Sequence, residues 1–335
     1  MRVLLHAAID VSLPGGLETH VRELATGLGA LGHQVEILGR ASGATPLTMV
    51  DRVAPARYDV LHDHGGLPPE FDTHPGLVRT LHFCVAAKMA TYVRIGRLRT
   101  LANPANWRAV AVERSWSRRP GRLIAVAGRV RRDFARWHGL DPARTTVIPN
   151  GYVPVVPSED RAALRRRHGI AERTPVLLTI GRDDFVKGTA LLGRAWAAAR
   201  AAERGALWVT VGGRAPARSP GRLVTGALPH AEVASWIAAA DLGALPSWYE
   251  GCSVALIEML AGGLYSLAQD VGNAPEVIHP GLDGEVLEGR VRAWTAALER
   301  LLTALPARGA ARLDAAFGWP AIVARTEAVY REVAP

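Results

Sequence analysis

The chain has 335 residues, of which 49% are hydrophobic and 21% charged, a balance typical of globular proteins with one or two sizeable domains. Every apolar run is shorter than the roughly 18 residues that a membrane-spanning helix needs. The N-terminal MRVLLHAAID has no small-residue cleavage site and predicts a first strand rather than a secretory signal. Cys84 and Cys252 fit no metal or redox spacing, which favours a reduced, cytosolic protein.

The formal net charge of +9 is concentrated in residues 88–136, here called the basic block. This block holds 13 basic and two acidic residues, a local charge of +11, so the rest of the chain carries −2. It fits an anionic surface or substrate as well as a solvated arginine-rich face. Nucleic acid is not expected, because few aromatic residues are interleaved with the basic ones. The arginines expected to meet an anionic acceptor or membrane are Arg94, Arg97, Arg99, Arg118, Arg119 and Arg122.

The first half of the chain predicts alternating strands and helices. A helix should follow the first strand, because Leu17, Val21 and Leu24 recur at helical spacing. Gly15 and Gly16 precede it, and backbone N–H groups at such a helix start favour a phosphate, although a plain tight turn explains the glycines equally well. The predicted strands cover residues 2–8, 35–38, 58–62, 77–82, 123–126 and 145–148, and a basic helix covers 129–138.

Histidines cluster around two of these strands. His62 and His82 end the strands 58–62 and 77–82, and His64 and His74 lie between them in sequence. Their spacing fits no compact metal site, whereas residues at the carboxyl ends of parallel strands face a ligand in any case. The sequence therefore predicts no bound metal.

The second half of the chain begins the strand–helix alternation again. A proline- and glycine-rich segment predicts an interdomain linker at 151–157. Strands are predicted at 175–180, 207–211, 223–224, 242–245 and 265–268. Alternation of this kind requires right-handed crossovers and a doubly wound sheet. We therefore expect an α/β protein with two Rossmann-like parallel-sheet domains facing a central cleft, 1–150 and 158–316, and a final helix within 317–335.

The motif GRDDFVKG follows the strand 175–180. Arg182 and Lys187 should emerge at the carboxyl end of that strand, where such sheets bind ligands. Two fixed cations can hold a diphosphate and stabilise it as it leaves. A metal at Asp183 and Asp184 is not expected, because no third oxygen ligand lies nearby. An ordinary charged surface turn is the alternative.

The segment PSWYEGCSVALIEMLAGG predicts a turn and a buried helix. Ser253 is a favourable N-cap, and the helix is apolar apart from Glu258, a carboxylate that is costly without a polar partner. Free N–H groups around Gly251 and Ser253 would face an anion. Glu250 and Glu258 could be a glycosidase pair, but their placement suits hydrogen bonds to two different sugars better.

Five motifs together resemble one family. GGLETHV, the Arg-x4-Lys of GRDDFVKG, Glu250-x7-Glu258, GNAPEVI and FGWPAIVARTEAVYREV occur in the order seen in the GT-B retaining glycosyltransferases of family 4. The resemblance spans nearly the whole chain. It implies a C-terminal helix that crosses back to the first domain, and sugar transfer with retention, by front-face attack and without an obligatory metal.

The resemblance also implies roles for single residues. His82 would contact the transferred sugar, Glu250 would hold hydroxyls of that sugar, and Glu258 would hold the ribose hydroxyls. The residues implied in binding donor phosphates and the rest of the donor are Gly15, Gly16, Arg182, Lys187, Gly251, Cys252, Ser253 and Val254. In this sequence Gly272-Asn273 stands where the family usually has paired glycines.

The expected function is retaining transfer of a hexose-type sugar from a UDP- or GDP-sugar to a hydroxyl acceptor. The acceptor is not identified by the sequence, and an anionic or lipid-linked one would suit the basic block. The protein is expected in the cytoplasm, with peripheral contact at the inner membrane face as an option. A sugar-nucleotide epimerase, a phosphorylase and a non-catalytic sugar-nucleotide-binding protein are the alternatives.

Overall fold

A computed structural model describes residues 1–13, 15–119, 121–182, 184–309, 313 and 315–334. The chain divides into two compact units. The first comprises Met1–Tyr152 and Asp314–Pro335, and the second comprises Val153–Leu313.

The first unit is built on a parallel sheet. Its strands are β1 (Arg2–Asp10), β2 (Gln34–Arg40), β3 (Met49–Val50), β4 (Val60–Asp63), β5 (Leu77–Leu81), β6 (Arg122–Ala125) and β7 (Thr145–Val147). Their order is β3-β2-β1-β4-β5-β6-β7, and each neighbouring pair runs parallel. The order reverses direction between β1 and β4, the position at which doubly wound sheets bind ligands. Its helices include α1 (Gly16–Ala30), α2 (Val85–Arg94), α3 (Pro104–Arg118) and α4 (Gly128–His138).

The second unit repeats this plan. Its strands are β8 (Val176–Ile180), β9 (Leu207–Ser219), β10 (Arg222–Gly226), β11 (Leu242–Leu245), β12 (Tyr265–Gln269) and β13 (Gly284–Leu287), in the order β10-β9-β8-β11-β12-β13. Its helices are α5 (Arg161–Arg167), α6 (Thr189–Ala198), α7 (His230–Ala239), α8 (Val254–Ala261), α9 (Ala274–Val277) and α10 (Val291–Thr303). Trp208 and Trp294, each at most 1% exposed, anchor a core between the sheet and helices α6 and α10. Here the order reverses between β8 and β11, so their carboxyl ends define the expected ligand edge.

The C-terminal helix α11 (Trp319–Val333) belongs to the first unit. It packs against α1, where a Cβ on Gly27 would lie 2.4 Å from Val323 Cγ2. Glycine at that position therefore allows the two helices to approach closely. One face of this helix is buried, and it carries Ile322, Val323, Thr326, Val329 and Tyr330.

Most predicted strands are confirmed within a residue or two, but the sequence missed β3, β13, α2 and α3. β3 has two residues, and the sequence GEVL of β13 carries little apolar signal. Helices α2 and α3 fall in the basic block, and the only buried residue of α3 is Glu113. A helix with so little apolar surface to bury has no strong periodicity in its sequence. Among the described residues, every helix is too short or too polar to cross a lipid bilayer.

Candidate functional site

An ion pair lies at the expected ligand edge of the second unit. Lys187 Nζ is 2.7 Å from Glu250 Oε1, and both side chains are largely buried, with exposed fractions of 28% and 13%. Lys187 belongs to a short 3₁₀ helix (Phe185–Lys187) after β8, and Glu250 follows β11. The structure thus brings together two of the residues that the sequence predicted to act on one donor.

Close backbone contacts fix these two loops. Gly188 ends the 3₁₀ helix with a φ of +67°, and a Cβ there would lie 1.8 Å from Pro246 O. Trp248 N donates to Val186 O at 2.7 Å, and Gln269 Nε2 donates to Pro246 O at 2.5 Å. Any larger residue at position 188 would push the loops apart, because no side chain fits between them.

The start of α8 is capped as the sequence predicted. Ser253 Oγ accepts a hydrogen bond from Leu256 N at 3.3 Å. The expectation of a free N–H at Ser253 is wrong, however, because Ser253 N donates to Asn273 Oδ1 at 2.8 Å. Asn273 replaces a glycine typical of the family, and its side chain reaches a donor that glycine could not. Gly251, Cys252 and Val254 lie beside this contact and are partly exposed.

Two buried polar atoms near Glu250 have no hydrogen-bond partner among the described residues. They are Ser247 Oγ and Asn273 Nδ2. Buried polar groups are nearly always paired, so each of these atoms is an open position for a polar ligand or an ordered water.

Glu258 is less isolated than its sequence context predicted. Only 13% of its side chain is exposed, but Oε1 lies 2.7 Å from Nε2 of His230, the first residue of α7. The hydrogen bond to Glu258 raises the pKa of His230 above its ordinary value. As the pH falls, the imidazole therefore becomes positively charged earlier than that of an isolated histidine and forms an ion pair with Glu258. The polar partner that this carboxylate requires is therefore supplied within the unit by a residue that sequence reasoning missed.

The remaining members of GRDDFVKG differ in environment. Arg182 is exposed, and Asp183, which with Asp184 formed the metal alternative that the sequence did not favour, lies outside the described residues. Asp184 Oδ1 accepts a hydrogen bond from Val186 N at 3.3 Å, which is the role of a helix cap.

The glycine pair and His82 lie in the first unit. Gly15 caps α1, Gly16 is its first residue, and both are exposed. Among the residues that the structure describes, no side chain caps this helix start. His82 follows β5 and is partly exposed, and its Nε2 lies 3.1 Å from His64 Nδ1.

The expectation that the histidines form no compact group is wrong. One ring nitrogen from each of His20, His64 and His82 lies within 4.8 Å of the other two. Burial lowers the pKa of His20 to about 4 and that of His62 to about 3, and it lowers those of His64 and His82 well below 6.5. These rings are therefore neutral at pH 7. His20 comes from α1, a contribution that spacing along the chain could not reveal.

Comparisons with known proteins show the family to which the chain belongs. Residues 174–304 match the family described as "Glycosyl transferases group 1", and residues 44–154 match "Glycosyltransferase Family 4". A D-inositol 3-phosphate glycosyltransferase of Geodermatophilus obscurus is 32% identical over 84% of this chain and 68% of its own length. The chain belongs to glycosyltransferase family 4.

Solved structures show that this family-4 glycosyltransferase has the GT-B fold. Sucrose-phosphate synthase from Thermosynechococcus elongatus superposes with a TM-score of 0.77 at 20% identity, covering 99% of this chain and 98% of the other. Anabaena Alr3699/HepE, solved with UDP and glucose, superposes with a TM-score of 0.69 at 18% identity, covering 100% and 98%. The two parallel-sheet α/β domains predicted from the sequence are confirmed.

The glycosyltransferase contains two further buried polar clusters that sequence reasoning missed. Arg79, 2% exposed, bonds Asp63 at 3.1 Å and also contacts Asp72. In the other cluster, Glu113 accepts hydrogen bonds from Val85 N and lies 3.0 Å from His138, with Cys84 Sγ within 3.9 Å of both. Burial raises the pKa of Cys84 to about 12, so the thiol stays protonated and unreactive at neutral pH.

Proposed function

We propose that this glycosyltransferase moves a hexose-type sugar from a UDP- or GDP-sugar to a hydroxyl acceptor, with retention at the anomeric carbon. The observation that carries the proposal is the Lys187–Glu250 pair, 2.7 Å apart at the carboxyl ends of β8 and β11. In the ligand-free protein each charge satisfies the other. A nucleotide sugar offers both of them better partners, namely a diphosphate for Lys187 and sugar hydroxyls for Glu250.

The chemistry follows from this arrangement of charge. The bond between the anomeric carbon and the diphosphate oxygen breaks, and a bond from the acceptor oxygen forms on the same face of the sugar. The acceptor proton passes to the departing diphosphate. Negative charge develops on that diphosphate, where Lys187, together with Arg182 after β8, would stabilise it most in the transition state. Two positive side chains at this position make a metal unnecessary for the step.

Neighbouring groups extend the donor site. Glu258 is paired with His230, and we propose that ribose hydroxyls replace the imidazole when the donor binds. Ser247 Oγ and Asn273 Nδ2 are buried without a partner among the described residues. The hydroxyl would donate to or accept from the same ligand, and the amide nitrogen would donate to it. The backbone at Gly251, Cys252 and Val254 and the α8 dipole would face the phosphates. The complex of HepE with UDP and glucose supports a nucleotide-sugar donor.

In the first unit, His82 and the glycine pair have proposed roles that rest on the family resemblance. His82 is neutral at pH 7, so it would contact the transferred sugar as a hydrogen-bonding group rather than as a charge. Gly15 and Gly16 leave the N-terminus of α1 exposed, and backbone N–H groups at a helix start favour a phosphate. The relatives named D-inositol 3-phosphate glycosyltransferase support an anionic polyol as the acceptor class.

A two-step experiment tests this function. A thermal-shift screen of UDP, GDP and their hexose conjugates should show stabilisation by one nucleotide series, because a ligand that binds only the folded state raises the melting temperature. With that donor and inositol phosphates, proton NMR should show a product with the anomeric configuration of the donor. An inverted anomer would disprove retention, and failure of every nucleotide sugar to bind would contradict the donor site.

We also propose that the segment 85–118, which contains α2, α3 and the turn between them, docks on an anionic membrane at the cytoplasmic face. Exposed apolar residues lie among the arginines of this segment, and Leu98 and Trp107 are 60% and 53% exposed. Arg94, Arg99 and Arg118 are exposed as well. Arg119 and Arg122, which the sequence grouped with them, instead pair with Asp72 and Glu332 within the unit. A mixture of exposed bulky apolar and cationic side chains is typical of surfaces that lie in a lipid interface.

Liposome flotation tests the docking surface. The triple variant Arg94→Gln/Arg99→Gln/Arg118→Gln should bind vesicles containing phosphatidylserine on the order of a hundredfold more weakly, since each basic residue near an anionic surface contributes about 1 kcal/mol. A matched variant, Arg194→Gln/Arg204→Gln/Arg292→Gln, removes the same charge from the second unit and should float like the wild type. Equal flotation with and without anionic lipid would exclude docking through this surface.

A further inference from the structure

The three-histidine group of the first unit has the composition of a metal site. His20 comes from α1, His64 follows β4, and His82 follows β5. One ring nitrogen of each lies within 4.8 Å of the other two, and His64 Nδ1 and His82 Nε2 are 3.1 Å apart. In a tetrahedral zinc site with bonds of 2.0–2.1 Å, the ligand nitrogens are about 3.3 Å apart, so small ring rotations would close this geometry around an ion.

The hydrogen bond of His20 leaves the lone pair of its second ring nitrogen available. His20 Nδ1 lies 3.0 Å from Asn150 Oδ1, an atom that can only accept, so Nδ1 carries the proton and Nε2 carries the lone pair. This is the usual support of a metal-ligating histidine, whose second nitrogen donates to an oxygen. His62 is different, because its two ring nitrogens lie 2.5 Å from Tyr330 Oη and 2.7 Å from Thr80 Oγ1.

His64 provides a second, independent observation. His64 is 5% exposed, and its Nε2 is buried with no hydrogen-bond partner among the described residues. Its Nδ1 shares a single proton with His82 Nε2, since two neutral rings cannot approach to 3.1 Å with two lone pairs facing each other. A buried ring with one unsatisfied nitrogen and one contact to another imidazole is poorly stabilised without a further ligand.

We infer that a divalent cation of the Zn²⁺ class binds to this glycosyltransferase through one ring nitrogen each of His20, His64 and His82. The partial exposure of His82 provides an entry path and leaves a fourth coordination position open for water. The transfer step proposed above does not use this ion. It would occupy the lone pair of His82, so added Zn²⁺ should inhibit transfer. The expected inhibition rests on the proposed function, whereas the inferred binding site does not depend on it.

Cobalt spectroscopy on the tag-free, chelator-treated full chain tests the site. One equivalent of Co²⁺ should give the intense visible bands of a tetrahedral nitrogen site, and Zn²⁺ should abolish them by displacement. The wild-type spectrum also separates this site from the group of Cys84, Glu113 and His138, which offers a thiol. A near-ultraviolet thiolate-to-cobalt band would place the ion there and overturn the inference, as would the absence of any band at equimolar Co²⁺.

Variants complete the test. His64→Gln should weaken Co²⁺ binding by roughly tenfold or more, and Asn150→Ala, which removes the support of His20, should weaken it by about 10- to 100-fold. His74→Gln is the matched control, because this histidine lies nearby in sequence but bonds Tyr58 O outside the group. Unchanged Co²⁺ binding in a folded His64→Gln would disprove the site, and Asn150→Ala provides the same test if His64→Gln fails to fold.

Discussion

Lys187→Ala should reduce kcat of sugar transfer by roughly 100- to 1,000-fold, the range found when one group that stabilises developing negative charge is removed. Lys187 is the cation held at the end of β8, where the diphosphate would leave, and its Nζ lies 2.7 Å from Glu250 Oε1. Glu250→Gln should also impair transfer, because an amide keeps the shape of the carboxylate but binds sugar hydroxyls without its charge. Initial rates with the donor identified by the thermal-shift screen measure both effects.

The fold must be intact for these rates to be interpreted. Both side chains lie on surface loops of the second unit and keep some exposure, so we expect the far-ultraviolet circular dichroism of both variants to match the wild type. Arg200→Ala is the matched control: it removes a cation of the same unit that pairs only with the exposed Glu203. If both site variants keep full activity, the assignment of this ion pair to the reaction is wrong.

Arg79→Ala should destabilise the first unit by about 3–5 kcal/mol, since it leaves two largely buried carboxylates without their shared cation. Arg79 Nε donates to Asp63 at 3.1 Å, and its terminal nitrogen contacts Asp72. Burial opposes the ionisation of Asp63, but hydrogen bonds from His6 and from Gly65 N, and the charge of Arg79, hold its pKa below the ordinary value. Removing Arg79 would therefore withdraw a large part of what offsets the burial of Asp63, while Asp72 would keep its contact with Arg119. Urea denaturation, with hydrogen exchange of β4 and β5 peptides to localise the loss, measures it.

An arginine on the neighbouring strand provides the control. Arg122 pairs with Glu332 at 2.6 Å, but both side chains are 40% or more exposed. Solvent weakens such pairs, so Arg122→Ala should cost at most about 1 kcal/mol. Equal losses for the two arginine variants would contradict the view that burial, rather than the ion pair itself, makes Arg79 essential.

Local sequence patterns were sufficient to predict many of the secondary-structure elements of this protein. The apolar runs at 175–180 and 242–245, each bounded by glycine or proline, predicted β8 and β11, because a buried parallel strand has a short continuous apolar signature. Ser253 predicted the start of α8, since a hydroxyl cap acts within three residues of the chain. The order of the motifs around Lys187 and Glu250 was sufficient to predict the family, and the comparisons confirmed it.

Contacts between distant segments were decided only by the tertiary structure. The pairing of Glu258 with His230 bridges 28 residues, and the contact of His20 with Asn150 bridges 130. The hydrophobic periodicity of a sequence does not predict such pairs. Each side chain is positioned by its own strand or helix, and whether two of them come into contact depends on how the crossover connections arrange those elements. For the same reason the spacing of His64 and His82 suggested no compact group, whereas parallel strands β4 and β5 bring their carboxyl ends to one edge and α1 adds His20. Sequence placed the residues at strand ends, and sheet order decided which of those ends are neighbours.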